Sequence, residues 1–382
     1  MFPDDSKEIL VDLSADLLSK SGYLSGAMRP QTQESVTELV RTMNCYYSNR
    51  IEGHPTTPRE IDSALEESYS DDPEKKDLQI EARHHIQTQK KIDNGTLSSE
   101  NPASEKFLTG IHYDFCHNLP KEMLVITNPD TDRKKNVIPG QIRDGEVKVG
   151  RHILPIHTDI PFFMELLETS YDPSRLNKIR SIIAVAASHH RFVWIHPFYD
   201  GNGRVARLFS HAYFLKIGVG SSLWSISRGL ARTAEEYKKK LAAADDERHG
   251  DTDGRGALSD KQLFNFCRYF LECSIDQVEY MTKVLDPKSL EGRIVAYCQQ
   301  EISVGNLPKT SDLLLRAALT TGEVNRGEAT QITGYKERRA RDVLTTLINR
   351  NLLVSTGPRK PVRLGFPSEV ADRWFPKLYS PE

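Results

Sequence analysis

The chain has 382 residues, of which 38% are hydrophobic and 27% are charged, so it carries enough apolar material for folded cores and is not a wholly disordered protein. Lys and Arg number 51 against 53 for Asp and Glu, and the formal net charge of −2 excludes a chain that is basic throughout, such as a bulk packer of nucleic acid. At about 150 residues per domain, this length predicts two to three domains.

Signals for membranes, secretion and disulfides are weak. The N-terminus lacks the basic region and apolar core of a secretory signal. A membrane-spanning helix needs about 18 consecutive apolar residues, and no stretch is that long. The five cysteines form no Cys-x-x-Cys pair, which favours buried, reduced thiols over disulfides or a zinc site. We therefore expect a cytoplasmic protein that does not bind membranes. The cysteines are Cys45, Cys116, Cys267, Cys273 and Cys298.

The N-terminal third contains two predicted helical regions of different character. Apolar residues recur at helical spacing over 33–49, and two prolines, Pro55 and Pro58, follow this helix. Residues 71–104 are polar and charged, which predicts one exposed helix between loops. A new apolar helical pattern begins at Glu105.

The middle of the chain contains a predicted hairpin and then a long helical region. Over 139–155, the dipeptide Asp144-Gly145 lies between short β-prone runs, a pattern typical of a β-hairpin. Helical patterning dominates from Ile160 to Val284, and Asp286-Pro287 is the predicted boundary of this region.

The tail, 289–382, has the pattern of a winged helix-turn-helix domain. Helices predicted over 327–334 and 336–350 are joined by a tight turn and followed by a small hairpin at 352–364. Within 326–365 the basic residues outnumber the acidic residues Glu328, Glu337 and Asp342, so DNA is a candidate partner, although such a domain also serves as a protein-binding or dimerisation surface. The basic residues are Arg326, Lys336, Arg338, Arg339, Arg341, Arg350, Arg359, Lys360 and Arg363.

The segment 195–207, Ile-His-Pro-Phe-Tyr-Asp-Gly-Asn-Gly-Arg-Val-Ala-Arg, carries most of the chemical information. Gly201 and Gly203 flank Asn202 just before an apolar helical run, and glycine permits positive φ and close approach of the backbone. A glycine-rich turn that leads into a helix presents free N–H groups and the positive end of the helix dipole. The turn therefore predicts an anion site that suits a phosphate.

Charged and titratable side chains surround this predicted anion site. Arg204 and Arg207 lie on one helix face, where they could bind further phosphate oxygens in bidentate contacts. Asp200 precedes the turn, and a carboxylate beside phosphates suits Mg²⁺. His196 is positioned to act as a general base on a hydroxyl. Each feature alone is more typical of a turn or a solvated helix face, but their concurrence within 196–207 favours a catalytic site that binds phosphate groups.

The segment resembles the active-site motif of Fic (Fido-domain) proteins, His-x-Phe-x-Asp/Glu-Gly-Asn-Gly-Arg-x-x-Arg, with every specified position filled. Together with the tail pattern, the resemblance implies a mainly α protein with a Fic-type helical core, a β-hairpin flap and a C-terminal winged helix-turn-helix domain. The expected regions are an N-terminal helical region over 1–104 with an inhibitory helix at about 33–53, a Fic core over 105–285 and a winged-helix-like domain over 289–382.

Fic proteins are mostly nucleotidyl transferases that move AMP from ATP to a hydroxyl side chain and release pyrophosphate. The resemblance implies that His196 deprotonates a Ser, Thr or Tyr hydroxyl of a target protein or of the chain itself. It also implies that Asp200 coordinates Mg²⁺ between the α- and β-phosphates. The rest of the motif would bind the nucleotide phosphates: the amides of Gly201, Asn202 and Gly203, the Asn202 side chain, and the guanidinium groups of Arg204 and Arg207.

Further segments resemble other elements of the family. The flap of Fic enzymes pairs with the target segment, and 139–155 resembles it, which adds Val149, Gly150, Arg151 and His152 to the expected nucleotide-binding set. Residues 48–53, Ser-Asn-Arg-Ile-Glu-Gly, match the inhibitory pattern Ser/Thr-x-x-x-Glu-Gly/Asn. In relatives with this pattern a helix lies over the nucleotide site. The inhibitory residues would be Ser48 and Glu52, and Glu52 would pair with Arg207 in competition with the γ-phosphate.

The identity of the nucleotide and the reaction direction stay open. Tyr237 resembles the residue that packs near adenine, but Asp245 stands where many relatives have Asn. Alternatives are another nucleotidyl donor, removal of AMP with help from Glu52, phosphocholine or phosphate transfer, or a DNA-binding regulator whose Fic domain senses nucleotide. Gly203 favours nucleotidyl transfer over phosphate transfer, and His196 argues against a mere sensor. The oligomeric state stays open as well: many relatives use self-association for control, and a homo-oligomer is one alternative.

Overall fold

The computed structural model describes residues 2–5, 7–127, 134–148, 154–254 and 256–380, without the side chain of Ser221. The fold is mainly helical, which confirms the predicted class. The helices before the predicted boundary are α1 (Ile9–Gly26), α2 (Pro30–Glu52), α3 (Pro58–Leu65), α4 (Pro73–Asp93), α5 (Glu105–Cys116), α6 (Ile160–Ser170), α7 (Lys178–Ile195), α8 (Asn202–Lys216), α9 (Ile226–Arg232), α10 (Ala234–Ala244) and α11 (Asp260–Val284).

The helices of the tail are α12 (Pro287–Ser303), α13 (Ser311–Thr321), α14 (Ala329–Thr333), α15 (Glu337–Asn349) and α16 (Ser368–Trp374). The strands are β1 (Val125–Thr127), β2 (Lys134–Asn136), β3 (Leu353–Val354) and β4 (Arg363–Leu364). β1 pairs with β2, and β3 with β4, both antiparallel.

Local sequence determines where the helices near the motif begin and end. α2 begins with Pro30, which suits a first helical position, and stops at Gly53, whose φ of 82° is a left-handed cap. Asp72 caps α4, because its side chain accepts a hydrogen bond from the N–H of Glu74 at 3.0 Å. The inhibitory helix predicted over 33–53 therefore corresponds to α2.

The predicted exposure of the helix within 71–104 is wrong. That helix is α4, and one of its faces packs against α2, α5 and α8. Three polar side chains on this face, those of Glu81, His85 and Gln89, are buried. Polar composition suggested exposure, but hydrogen-bond and ion-pair partners on neighbouring helices compensate the cost of burying several of these groups.

The hairpin predicted over 139–155 lies partly outside the described residues, which omit 149–153. The antiparallel pair in this region is β1 with β2, which lies upstream and puts Val125 opposite Asn136. Within the described residues 139–148 and 154–155, no strand forms.

A buried arginine, rather than a strand ladder, holds the segment after β2. The Arg143 side chain donates hydrogen bonds to the carbonyl oxygens of His196, Gly145 and Pro155 at 2.9, 2.9 and 2.6 Å. Its backbone N–H donates to the carbonyl of Pro197 at 2.8 Å. Arg143 therefore ties this segment to the start of the motif, a role that depends on contacts distant in sequence.

The apolar core is continuous from the N-terminal helices to the tail. Its members include Leu10, Val40, Phe209, Leu344 and Trp374. The tail contains the predicted helices and strands in the predicted order, with a left-handed turn at Gly334 between α14 and α15. Their assignment as a winged helix-turn-helix domain, and the division of the chain into three domains, stay predictions.

The tail packs directly on α2. Ser35 Oγ donates a hydrogen bond to the carbonyl of Leu364 at 2.6 Å, and the Tyr47 hydroxyl donates to the carbonyl of Leu378 at 2.7 Å. Arg363 pairs with Glu38 at 2.9 Å. The inhibitory helix predicted from the sequence is therefore held on one side by the last elements of the chain.

No helix in the described part of the chain is long and apolar enough to cross a membrane. Every cysteine is a free thiol, and all but Cys273 are buried, as predicted.

Candidate nucleotide site

The motif joins α7 to α8 through a sharp turn. His196 ends α7 in the left-handed conformation, with φ 50° and ψ 59°, which is uncommon for a residue with a Cβ. Gly201 precedes the first residue of α8 with φ 83°, a conformation that favours glycine. The free N–H groups at the start of α8 therefore follow His196 within one short turn.

The side chain of Asn202 closes this turn. Its Oδ1 accepts a hydrogen bond from the N–H of Phe198 at 3.0 Å, and its Nδ2 donates to the carbonyl of Phe198 at 2.8 Å. The side chain is buried. The amide of Asn202 therefore bridges the N–H and the carbonyl of Phe198 and holds the turn closed.

His112 on α5 supports the turn from the other side. Its ring stacks on Phe198, with 3.8 Å between the centroids. Nδ1 accepts a hydrogen bond from the N–H of Gly140 at 2.8 Å, so Nε2 carries the proton and donates to the carbonyl of Asp200 at 3.2 Å. Burial lowers the pKa of His112 to about 4, which keeps the ring neutral. No sequence pattern marks His112 as a site residue, because it occupies a buried position among the apolar residues of α5.

Arg207 is enclosed by α2. Its Nε donates a hydrogen bond to Ser48 Oγ at 2.9 Å, and its Nη2 lies 2.5 Å from Glu52 Oε1. The arginine side chain is 2% exposed and that of Glu52 is 29% exposed. Burial raises the pKa of Glu52, but the charges of Arg207 and Arg204 outweigh this effect and hold the pKa below its ordinary value. The structure thus brings together Ser48, Glu52 and Arg207, as the sequence predicts.

The carboxylate of Glu52 also covers the glycine turn. A Cβ added to Gly203 would overlap Glu52 Oε1 and would lie 3.2 Å from Arg207 Nη1. Only glycine leaves room for the carboxylate at this position. An anionic group therefore lies at the N-terminal end of α8, where the helix dipole favours negative charge.

Arg204 has different partners. Its Nη1 pairs with the carboxylate of Glu81 on α4, and its Nη2 lies 3.2 Å from Asp200 Oδ1. The guanidinium carbon is 5.3 Å from the centroid of the Phe115 ring. Burial lowers the pKa of Arg204, but the carboxylates of Glu81 and Asp200 raise it above its usual range. Both motif arginines are thus buried and paired with carboxylates.

The sequence prediction missed the polar face of α4, and one of its members, Glu81, contacts the motif. Glu81, His85, Gln89 and Asp93 recur every four residues and so lie on one face of the helix. Asp93 Oδ1 lies 2.6 Å from Nε2 of His211 on α8. The sequence signal was this four-residue spacing, which the high polarity of 71–104 obscured.

Asp200 fits a divalent cation that is held mainly by phosphates and water. Its side chain is 49% exposed and borders a cavity of about 250 Å³, which Gly201, Arg204 and Cys116 also line. Mg²⁺ in phosphate sites is usually bound through one or two carboxylates and keeps several waters. Among the described residues, no group of three or more His, Cys, Asp or Glu side chains could hold a metal ion. Asp200 is therefore the carboxylate that a nucleotide-bound Mg²⁺ would use.

The residues predicted for the base pocket contact histidines of α7. The Tyr237 hydroxyl is buried and lies 2.8 Å from His189 Nε2, and burial raises the pKa of Tyr237 to about 12. Asp245 Oδ1 lies 3.0 Å from His190 Nε2. The remaining predicted residues, Val149, Gly150, Arg151 and His152, lie outside the described residues.

Solved structures share this arrangement of helices. A Fic family protein from Desulfovibrio desulfuricans G20 superposes on 95% of this chain and 98% of its own, with a TM-score of 0.56 and 17% identity. A Fic domain-containing signaling protein from Bacteroides thetaiotaomicron VPI-5482 covers 71% of this chain and 96% of its own, with a TM-score of 0.53 and 19% identity. At such identities the likeness establishes the fold alone, and the chain has the helical fold of Fic proteins.

Sequence comparison points in the same direction. Residues 102–214 match the Fic/DOC family model. Protein adenylyltransferase Fic of Drosophila grimshawi is 25% identical over 215 residues, which are 56% of this chain and 40% of that protein. Protein adenylyltransferase Fic of Drosophila melanogaster is 26% identical over 215 residues, which are 39% of its length. The chain thus spans less than half the length of these relatives.

Proposed function

We propose that this protein transfers AMP from ATP to a Ser, Thr or Tyr hydroxyl of a target protein or of itself, and that α2 holds it in an inhibited state. The observation that carries the proposal is the Glu52 carboxylate, an anion paired with Arg207 over Gly203 at a helix terminus suited to a phosphate. The Fic/DOC match and the relatives named adenylyltransferases support the same class of reaction.

The transfer needs positioning and charge neutralisation more than covalent help from the protein. In this proposal His196 accepts the proton of the acceptor hydroxyl, and the hydroxyl oxygen forms a bond to the α-phosphorus. The bond between that phosphorus and the bridging oxygen breaks, and pyrophosphate leaves. The N–H groups at the start of α8 stabilise charge on the α-phosphate, and Arg204 and Arg207 bind the departing phosphates.

Asp200 is the residue that would hold Mg²⁺. Its exposed carboxylate borders the cavity beside Arg204 and Gly201. When bound, the cation supplies charge neutralisation for the triphosphate and helps to orient it.

Glu52 blocks productive binding of ATP in two ways. Its carboxylate accepts the hydrogen bond from Nη2 of Arg207 that the γ-phosphate would otherwise accept. Its negative charge also repels the phosphates. Ser48 occupies Nε of the same arginine, so α2 takes two of its nitrogens. Substitution of Glu52 should therefore free the arginine for the nucleotide.

Incorporation of labelled ATP in the presence of Mg²⁺ tests the proposal. We expect Glu52→Gly to incorporate about 5- to 150-fold more AMP than the wild type, the range typical of coupling between two sites. Adding His196→Ala should lower that incorporation about 100- to 10,000-fold, because a general base contributes a factor of this size. The mass of the product distinguishes AMP transfer from phosphate transfer, and parallel reactions with GTP, CTP and UTP identify the preferred base.

The matched control is Glu66→Gly, which removes an exposed glutamate at the end of α3. It should incorporate no more AMP than the wild type. Equal incorporation by the wild type, Glu52→Gly and the double variant contradicts the proposal.

A second candidate function, binding of duplex DNA by the tail, is favoured by the charge around α15. Lys336, Arg338, Arg359 and Lys360 are exposed and have no ion-pair partner among the described residues. An open groove of about 620 Å³ lies between α14 and α15 and is lined in part by Arg341. Uncompensated positive charge suits the phosphates of DNA.

Fluorescence anisotropy with a labelled duplex at several salt concentrations tests DNA binding. We expect Arg338→Ala and Arg359→Ala each to reduce the slope of log affinity against log salt by about one. Arg50→Ala, which removes an exposed arginine of α2, is the control. Failure of the wild type to bind at low salt excludes this function. Tight binding without AMP incorporation by Glu52→Gly would favour the nucleotide-sensing regulator.

A further inference from the structure

Glu81 is a fully buried carboxylate that lies outside the motif. Its Oε1 pairs with Nη1 of Arg204, and its Oε2 lies 2.8 Å from Nδ1 of His54. Burial raises the pKa of Glu81, but Arg204 and His54 outweigh this effect and hold the pKa below its ordinary value. A buried carboxylate without a partner is costly, so the positions of Glu81 and Arg204 are strongly coupled.

The nitrogens of Arg204 differ in how firmly they are held. Nη1 binds Glu81, which is buried on the regular helix α4. Nη2 binds Asp200, which is half exposed on the motif turn. Nε is buried and has no hydrogen-bond partner among the described residues. Glu81 is therefore the firm anchor of the guanidinium, whereas Nη2, beside the half-exposed Asp200, retains the capacity to bind another group.

Arg207 has no equivalent anchor. Its carboxylate partner among the described residues is Glu52, and its Nε partner is Ser48, so both belong to α2. Removal of the Glu52 carboxylate leaves Arg207 without a charged partner. Arg204 keeps its ion pair with Glu81 in the same variant. The side chain of Arg207 would therefore be freer to move than that of Arg204 when a nucleotide binds.

We propose that Glu81 is a positioning residue that selects nucleotides with a β-phosphate over nucleoside monophosphates. By holding Nη1 of Arg204, it keeps the rest of the guanidinium directed at the β-phosphate. The guanidinium is a rigid planar fork, so holding one nitrogen restrains the direction of the others. This inference rests on the proposed function, in which Arg204 and Arg207 bind the β- and γ-phosphates.

Nucleotide binding without turnover tests this role. The parent protein is Glu52→Gly/His196→Ala, which frees Arg207 and removes the general base, and calorimetry gives its affinities for ADP and AMP with Mg²⁺. We expect Glu81→Gln in this parent to weaken ADP binding about tenfold, the size of one hydrogen bond to a charged group, and to change AMP binding by less than about twofold. Glu81→Asp should restore part of the ADP affinity, because it returns the charge.

The matched control is Gln89→Ala, a buried polar residue on the same face of α4 that contacts Asn44 rather than Arg204. It should leave the ratio of ADP to AMP affinity unchanged, as a merely structural role of α4 would. Equal losses of ADP and AMP affinity in Glu81→Gln, or an unchanged ratio, overturn the inference. Glu81→Asp supplies the same comparison if Glu81→Gln does not fold.

Failure of the proposed function can be distinguished from failure of the role of Glu81. If Glu52→Gly does not incorporate AMP and the parent binds neither nucleotide, the proposed function falls and this inference falls with it. If Glu52→Gly incorporates AMP while the Glu81 variants keep the parent's ratio, only the role of Glu81 is overturned.

Discussion

The arginines of α8 and those of α15 are the same side chain in opposite surroundings. Arg204 and Arg207 are buried and pair with carboxylates from α4 and α2. Arg341 on α15 is 71% exposed and pairs with Glu337 one turn away on its own helix, while Arg338 has no partner among the described residues. A buried charge requires partners within the protein, whereas an exposed charge is satisfied by water. Burial combined with pairing to a carboxylate, more than the number of arginines, therefore marks the candidate nucleotide site.

The largest expected effect comes from removing a buried arginine. Arg204→Ala leaves the buried carboxylate of Glu81 without its arginine partner, so we expect it to lower the free energy of unfolding by about 3–5 kcal/mol. Arg338→Ala should change it by less than about 0.5 kcal/mol, because the side chain is exposed. Urea denaturation measures both values. A cost below about 1 kcal/mol for Arg204→Ala would break the comparison between the two clusters.

Arg228 extends the comparison to a buried arginine whose partners are neutral. It donates hydrogen bonds to the carbonyl of Lys377 at 2.8 Å and to Gln277 Oε1 at 2.9 Å. Lysine keeps the charge but lacks the planar fork, so Arg228→Lys should lower the free energy of unfolding by about 1.5–3 kcal/mol. Arg232→Lys at the exposed end of the same helix is the control and should be neutral. Equal effects of the two substitutions would show that burial is not the deciding factor.

The smallest expected effect is a pH dependence that separates a buried from an exposed pair. The pKa of Glu52 is lowered in the folded protein, so its pairing stabilises fully above the unfolded value of about 4.3 and is lost as the pH falls through the folded value. The difference in thermal midpoint between the wild type and Glu52→Gln should therefore stay constant from about pH 7 to 5 and shrink below about pH 4.

Glu337→Gln provides the exposed counterpart of that measurement. It removes the partner of Arg341 on the surface of α15 and should leave the thermal midpoint unchanged across the same pH range. A difference between the wild type and Glu52→Gln that persists undiminished at about pH 3 would contradict the ionised pair of Glu52 and Arg207.

Much of the helical fold could be predicted because local residues determine where helices begin and end. Gly53 ends α2 in a left-handed conformation, and Asp286-Pro287 begins α12 near the predicted boundary. The described part of the predicted hairpin forms no strand, because β-prone runs do not reveal which backbone groups find partners. After β2 the side chain of Arg143 donates hydrogen bonds to backbone carbonyls, and no local sequence pattern predicts that role.

The sequence by itself determined the chemical groups of the candidate site and the turn that presents them, because Gly201 and the residues around it act on their immediate neighbours. It also indicated, through a family resemblance, that Glu52 meets Arg207. Only the tertiary structure decided that Glu81 anchors Arg204 and that His112 holds the motif turn. The physical reason is that backbone conformation depends on adjacent residues, whereas the partners of a buried charge or a buried hydrogen-bonding group depend on how distant helices pack.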